Sequence, residues 1–332
     1  MVGRAVLQRG AVWRRLLRGD LAARGGRMTV IAVVGPTAAG KSALSLALAE
    51  KLDGEVVNAD SMQLYRGLDI GTAKLSVAER RGIPHHVLDI WPVTEPASVA
   101  EYQRLARAAI DDILARGKVP LLVGGSGLYV RAVLEEFDFP GTDADLRLSL
   151  EAELALVGAV ALHERLRAAD PEAAARILPT NGRRIVRALE VITLTGQPFK
   201  AALPSSPVPF YPSVQIGVDV SGPVLDSRVA ARVESMWSAG LVAETSSLVS
   251  VGLRSGRTAS RALGYQQVLA FLDGVCSEAQ AAEETIRATR RFVRRQRTWF
   301  RRDPRITWLD GADPDLATAA LRAVHADRPG AP

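Results

Sequence analysis

The chain alternates short apolar runs with longer segments in which apolar residues recur at helical spacing. Residues 29–34 form a β-branched, mostly apolar run, the pattern of a buried strand. Residues 42–52 carry apolar side chains at 44, 46, 48 and 52 with alanines between, which predicts a helix. Residues 55–58 and 119–123 read as further strands, and residues 99–116 as a helix that stops at Gly117. Strand, helix and strand at these lengths is a βαβ pattern and predicts a parallel sheet. From about Arg131 the texture changes. Residues 143–169 and 171–195 are rich in Ala, Leu, Arg and Glu at helical spacing, with no strand-like run. They read as a helical insertion, closed by a Pro- and Ser-rich connector at 203–212. Strand character returns at 214–220, helices are predicted over 226–239, 242–251 and 281–302, and a last short strand over 305–309. Beyond Ala312 the pattern predicts little, and there are no internal repeats. The expected organisation is an α/β core over 28–132 and 205–325, interrupted by a helical domain over 133–204.

Between the first strand and the first helix lies Gly35-Pro36-Thr37-Ala38-Ala39-Gly40-Lys41-Ser42, which fits the phosphate-loop pattern Gly-x4-Gly-Lys-Ser in its proper setting. The glycines permit backbone conformations that turn successive N–H groups inward, and the helix N-terminus adds partial positive charge. Lys41 brings a full charge to the terminal phosphates, and the Ser42 hydroxyl is the expected ligand of Mg²⁺. The fold class is therefore a P-loop NTPase-like parallel sheet flanked by helices. The loop alone does not name a reaction, because kinases, ATPases and GTPases share it. The usual second acid is missing at the third strand, where Val123 is followed by Gly124, and Asp60 is the acid found directly after a strand. A carboxylate at that sheet edge serves as Mg²⁺ ligand or general base, or else as an N-cap for the next segment. Gly124-Gly125-Ser126-Gly127 occupies the equivalent place after the third strand. Its glycines either let backbone approach a ligand, with the Ser126 hydroxyl donating to it, or simply make a tight turn. Adjacent His85 and His86 point apart and read as structural.

Charge sharpens this picture. The net charge is +6, and residues 1–27 carry all of it, with seven arginines against Asp20. This leader ends in Arg-Gly-Gly-Arg, and Met28 then stands before the first strand as an alternative start. It is expected to lie outside the fold, disordered or not translated. It lacks the apolar core of a secretory signal, and it lacks the serines of a mitochondrial presequence. A second cluster sits inside the fold: residues 287–305 hold nine arginines and one acid, Asp303. Focused charge of this kind favours a polyanionic partner over a solvated helix face. Arg287, Arg291, Arg294 and Arg301 share roughly one helical face, while Trp299 either stacks on a base or, by preference, packs in the core. No apolar run reaches the roughly 18 residues of a membrane span, so no membrane is expected. The single cysteine, Cys276, forms no intrachain disulfide and suits a reducing cytoplasm. Nothing demands a dimer, and a monomer is expected.

Several segments together resemble the tRNA dimethylallyltransferases, also called isopentenyltransferases. They are the phosphate loop, Asn58-Ala59-Asp60-Ser61-Met62-Gln63-Leu64-Tyr65, Asp69-Ile70-Gly71-Thr72-Ala73-Lys74, Pro84-His85-His86-Val87-Leu88-Asp89, the stretch from Leu121 to Tyr129, the stretch from Arg184 to Glu190, and Arg295-Gln296-Arg297-Thr298-Trp299-Phe300-Arg301. The matches run in order from about residue 31 to 309, leaving out only the leader and the tail. The resemblance implies transfer of a dimethylallyl group from dimethylallyl diphosphate to the exocyclic amine of the adenosine just 3′ of the tRNA anticodon. It implies that residues 35–42 hold the donor diphosphate rather than ATP. It assigns catalytic roles to Asp60 as general base, to Ser126 beside the reacting centre (often Thr in the family), and to Lys41. It further implies tRNA contacts from Asp60, Ser61, Met62, Gln63, Ser126, Arg147, Arg183, Arg184, Arg187, Arg261, Gly264, Tyr265, Arg294, Arg295, Gln296, Arg297 and Arg301. Two other readings fit the loop taken alone. A P-loop kinase of a small metabolite or nucleotide would use the insertion as its lid, but the arginine cluster and the missing strand-end acid oppose it. An RNA-binding protein with a relict loop is opposed by the intact Lys41-Ser42 pair.

Overall fold

Every residue of the first strand is buried, because alternate side chains feed two different cores. The computed structural model describes residues 29–137, 139–199 and 208–326. The basic leader and residues 203–207 of the expected connector lie outside them. In β1 (Val30–Val34), Val30, Ala32 and Val34 join one apolar cluster, while Ile31 and Val33 join another. Strands β2 (Gly54–Asn58), β3 (His85–His86), β4 (Val119–Gly124), β5 (Ser213–Asp219) and β6 (Ile306–Asp310) complete a six-stranded sheet of order β3-β2-β4-β1-β5-β6. All its pairings are parallel, with Ile31 opposite both Leu121 and Val214. Sheets of this kind need helices on both faces. Helix α1 (Lys41–Leu52) and a C-terminal helix cover one face through Leu44, Leu48, Ala320 and Val324. Helix α2 (Val99–Ala115) and α3 (Gly127–Leu134) cover the other through Tyr102, Ile110, Val130 and Val133.

The insertion is a separate unit over Glu136–Val208. Its helices α4 (Ala144–Ala169), α5 (Pro171–Arg176) and α6 (Gly182–Thr195) enclose their own core of Leu150, Leu162, Leu166, Ile185 and Leu189. Asp143, Asp170 and Asn181 cap them by accepting from Leu146, Ala173 and Arg184 N–H groups. Gly158 interrupts α4 with φ 82° and ψ 164°, so the long predicted helix is two helices across a kink. After the insertion the chain returns to the sheet. It then runs through α7 (Gly222–Ser238), α8 (Leu241–Ser250), α9 (Tyr265–Leu272), α10 (Glu278–Phe300), β6 and α11 (Leu316–Ala326). Among the described residues, no helix is long and apolar enough to cross a membrane.

His85 and His86 form a strand of only two residues, too short to leave a periodic signal. Neither is placed as a metal ligand: His85 Nδ1 lies 2.9 Å from the Ile83 carbonyl and His86 Nε2 lies 2.7 Å from Glu55. Glu55, on β2, is buried and holds Arg116 through a two-point contact of 2.5 and 2.8 Å, with Lys118 at 3.3 Å. The hydrogen bonds from Arg116 hold its carboxyl at about 2, against the opposing effect of burial. A depressed carboxyl contributes stability that is complete above its unfolded value near 4.5 and is lost as pH falls from there toward 2. The shift corresponds to about 3 kcal/mol. Glu55→Gln should therefore lower unfolding free energy by roughly 2–3 kcal/mol at pH 7 in urea titrations. The difference from the parent should shrink to about half by pH 3 and vanish only below about pH 2, and a difference that stays constant down to pH 3 would refute the assignment.

Candidate active site

The phosphate loop runs out of β1 and turns into α1. Gly35 has φ 136°, and a Cβ there would lie 2.2 Å from the Val218 carbonyl oxygen, so only glycine lets the loop start this close to β5. Gly40 has φ 108°, and Ala38 adopts a left-handed φ of 66° without being glycine, a local strain of about 1 kcal/mol. The first N–H groups of α1 have no carbonyl partner within the helix and are free to face an anion. Lys41 Nζ donates to the Pro36 carbonyl at 2.7 Å, which folds its ammonium over the loop.

A cavity of about 370 Å³ opens here, lined by Gly40, Lys41, Ser42, Ala73, Lys74 and Arg232 among others. Its volume suits a small ligand. Two of its cations are available. Lys74 is not one of them, since its ammonium lies 2.6 Å from Asp69 and 2.5 Å from Asp89 and accepts no further anion. Arg232, from α7, has no hydrogen-bond or ion-pair partner among the described residues. It was missed in the sequence, where it looks like one charge on an amphipathic helix. Burial lowers the Lys41 ammonium to about 8, with Asp60 opposing the shift and Arg232 adding to it. Burial lowers the Arg232 guanidinium too, again opposed by Asp60.

Asp60 is the second residue after β2. It caps no helix. Its Oδ1 accepts from the Met62 N–H at 3.0 Å, and its own N–H donates to Asn58 Oδ1 at 2.9 Å. Asn58 Nδ2 donates in turn to the Asp60 and Val87 carbonyls. The backbone is thus clasped on both sides, and Oδ2 has no protein partner among the described residues. Ser126 Oγ accepts from the Ser61 N–H at 3.1 Å and lies 3.2 Å from Ser61 Oγ, so it ties this turn to the one after β4. Tyr102, beneath them, donates to the Asn58 carbonyl at 2.9 Å.

The glycines around the end of β4 make the tight turn: the strand ends at Gly124 and α3 begins at Gly127, with two residues between them. A Cβ on Gly124 would lie 2.1 Å from the Ala59 carbonyl, one on Gly125 2.3 Å from Gln296 Nε2, and one on Gly127 2.0 Å from Trp299 Nε1. They admit neighbouring protein, not ligand. Trp299 is correspondingly not in the core: it packs on Gly127 and remains 39% exposed.

The arginine-rich helix α10 also sorts differently from expectation. Arg287 pairs with Glu283 and Glu284, and Arg291 with Glu284, acids one or two turns upstream that the window 287–305 left out. Arg297 and Arg301 hold Asp219 at 2.8 and 3.0 Å. Asp219 ends β5, so Asp60 is not alone as a strand-end acid, but two guanidiniums occupy it. Among the described residues Arg294, Arg295 and Arg302 have no carboxylate partner, and all three are exposed. Gln296 is buried and points inward, accepting from Thr37 N–H and donating to the Gly125 carbonyl, which removes it from the expected RNA side. Tyr265 is fully buried, with its hydroxyl 2.5 Å from Glu244, and Gly264 is buried beside it, so neither can touch RNA. Together with Glu244, which accepts from the Ile70 and Gly71 N–H groups, Tyr265 anchors the loop leading to Ala73 and Lys74. Arg261 is exposed nearby in sequence. Met62 packs partly against the core, and Gln63 donates to the Thr72 carbonyl. In the insertion, Arg147 and Arg187 converge on the fully buried Glu190, whose carboxyl they lower against its burial, while Arg183 and Arg184 are exposed.

A profile described as IPP transferase matches residues 63–303. The chain belongs to this family. It is 74% identical over 298 residues to a protein named tRNA dimethylallyltransferase from Salinispora arenicola, covering 90% of this chain and 87% of that one. A Thermobifida fusca protein of the same name is 63% identical over 306 residues, covering 90% and 96%. The fold is similar to a crystal structure titled tRNA isopentenylpyrophosphate transferase from Bacillus halodurans, at TM-score 0.67 and 41% identity over 90% of this chain and 95% of that one. It is also similar to a eukaryotic dimethylallyltransferase acting on tRNA, at TM-score 0.73 and 27% identity over 90% and 78%.

The lowered ammonium of Lys41 makes anion binding pH-dependent. Below about 8 the group is charged and fully attracts a diphosphate; above it the charge is lost. Affinity for an unreactive prenyl diphosphate analogue should fall about twofold from pH 7 to 8 and several-fold by pH 9.5, measured by calorimetry. Lys41→Met should bind at least about tenfold more weakly and abolish the step. A step that persists in that variant would exclude Lys41 as its source.

Proposed function

We propose that the protein transfers a dimethylallyl group from dimethylallyl diphosphate to the exocyclic N6 amine of the adenosine immediately 3′ of the tRNA anticodon, releasing diphosphate. One observation carries the reading: among the described residues, two cations without carboxylate partners line a phosphate-loop cavity, and the carboxylate that both feel, Asp60, keeps one oxygen without a protein partner. The names and titles of the relatives point the same way. Against a P-loop kinase, the acid that ends β5, Asp219, is taken by Arg297 and Arg301 and is not free for a metal, and the relatives' names point to transfer onto tRNA.

In this reading the loop N–H groups, Lys41 and Arg232 hold the donor diphosphate. The N6 amine attacks C1 of the allyl group, the C1–O electron pair leaves with the diphosphate, and the N6 proton passes to Asp60 Oδ2. The growing charge on the leaving group meets cations already in place, the electrostatic term that usually dominates such transfers. Asp60 acts as base because the Asn58 clasp and the Met62 N–H fix its direction. Ser126 holds Ser61, and with it the Asp60 turn, in register.

Mg²⁺ fits this site. Ser42 lines the cavity, and among the described residues no group of three His, Cys, Asp or Glu side chains could hold a metal, so diphosphate oxygens would supply most ligands beside Ser42. When bound, the ion would neutralise the diphosphate.

For tRNA, exposed Arg294, Arg295 and Arg302 offer cations to the backbone, with Arg183, Arg184 and Arg261 as further contacts. The exposed part of Trp299, which packs on Gly127, offers a stacking surface for an unstacked base. Such contacts offset the few kcal/mol needed to take the adenine from its stack. We place the enzyme in the cytoplasm as a monomer, since its one cysteine suits a reducing compartment.

Incubation of anticodon stem-loop RNA with dimethylallyl diphosphate and Mg²⁺, followed by nucleoside mass spectrometry, should show one prenylated adenosine; unmodified adenosine throughout would overturn the reading. Asp60→Asn should cut transfer at least about 100-fold while donor affinity stays within about threefold. Loss of donor binding in that variant would make Asp60 a diphosphate or metal residue instead. Arg232→Met should weaken donor binding about tenfold or more without changing RNA affinity.

A further inference from the structure

Gln296 joins the two halves of the proposed site through a single side chain. It sits on α10 directly after Arg294 and Arg295, the exposed cations without carboxylate partners, and directly before Arg297, which is locked to Asp219. Its Oε1 accepts from the Thr37 N–H of the phosphate loop at 2.9 Å, and its Nε2 donates to the Gly125 carbonyl at 3.0 Å. The amide is buried, and Gly125 has no room for a Cβ because Gln296 Nε2 fills that position at 2.3 Å. A displacement of this turn of α10 therefore cannot occur without moving a loop amide on one side or the turn bearing Ser126 on the other.

We propose that Gln296 is a positioning residue that couples RNA binding on α10 to diphosphate binding in the loop, so that each ligand tightens the other. The inference rests on the proposed transferase reading. RNA that orders α10 fixes the Gln296 amide and with it Thr37, and a loop already fixed needs less ordering to receive the anion. Thermodynamic linkage makes the effect equal in both directions.

The test uses the full chain, inorganic pyrophosphate with Mg²⁺, and anticodon stem-loop RNA. Pyrophosphate lacks the prenyl group, which keeps direct contact between the two substrates small. The dissociation constant for pyrophosphate is measured with and without saturating RNA, and that for RNA with and without saturating pyrophosphate. In the wild type the two ratios should agree at about fivefold or more. In Gln296→Met, which keeps the side-chain length and loses both hydrogen bonds, the ratio should fall to about twofold or less, while RNA affinity without pyrophosphate stays within about twofold. Gly125→Ala displaces the amide from its other side and should give the same loss, with no further loss in the double variant. A wild-type ratio of one, or a ratio unchanged in both variants, would overturn the proposal. So would loss of cooperative thermal unfolding in both, which would make Gln296 only a packing residue. A wild type that binds neither ligand would instead sink the transferase reading itself.

Discussion

Two positive charges held partly out of water, with no carboxylate bound to either among the described residues, are the tension around which this site is organised. Lys41 and Arg232 each lose basicity through burial, and Lys41 loses more through Arg232 itself. Asp60 relieves that repulsion only in part. The fold maintains the arrangement because the surrounding anions are engaged elsewhere: Asp69 and Asp89 with Lys74, Asp219 with Arg297 and Arg301, Glu79 with Ser76. A polyanion entering the cavity completes a charge balance that the protein leaves open, and pre-set cations need no rearrangement when charge develops on a leaving group.

The same sorting of charges shapes α10. A helix with this many arginines would repel itself if all were free, and acids upstream or across the sheet hold most of them. Arg297 and Arg301 reach the end of β5, and Arg305, just beyond the helix, reaches the buried Glu135. What stays uncommitted is a small set at the C-terminal half. The helix is thus a structural strut along part of its length and an electrostatic surface along the rest.

Much of this was legible in the sequence. The strands of the central sheet and the phosphate loop announced themselves because a buried parallel strand is a continuous apolar run and because Gly35, Gly40 and Lys41 have fixed spacing. Short elements did not: β3 spans two residues, α3 begins inside a glycine-rich turn, and α11 follows an Asp- and Pro-containing stretch that hid its start. The insertion was placed a few residues early because α3 continues to Leu134 and the buried Glu135 gives no turn signal. In the site, Asp60 and Ser126 were found because they follow strands. Arg232 was not, since only the packing of α7 brings it to the cavity. Spacing also cannot tell which way a helical residue faces: Gln296 and Tyr265 looked like neighbours of RNA-binding arginines and proved to be buried, whereas Trp299, expected inside, is partly open.

The insertion begins and ends at one place. The Glu136 N–H donates to the Val208 carbonyl at 2.8 Å, and just outside this rung the Phe210 N–H donates to the Leu134 carbonyl at 2.8 Å. The entropy cost of closing the excursion at this rung grows only slowly with its length, by about 0.6 kcal/mol per doubling. The helical unit is in this sense a cassette: it can lengthen or shorten between residues 136 and 208 without altering the strands on either side of its closing rung.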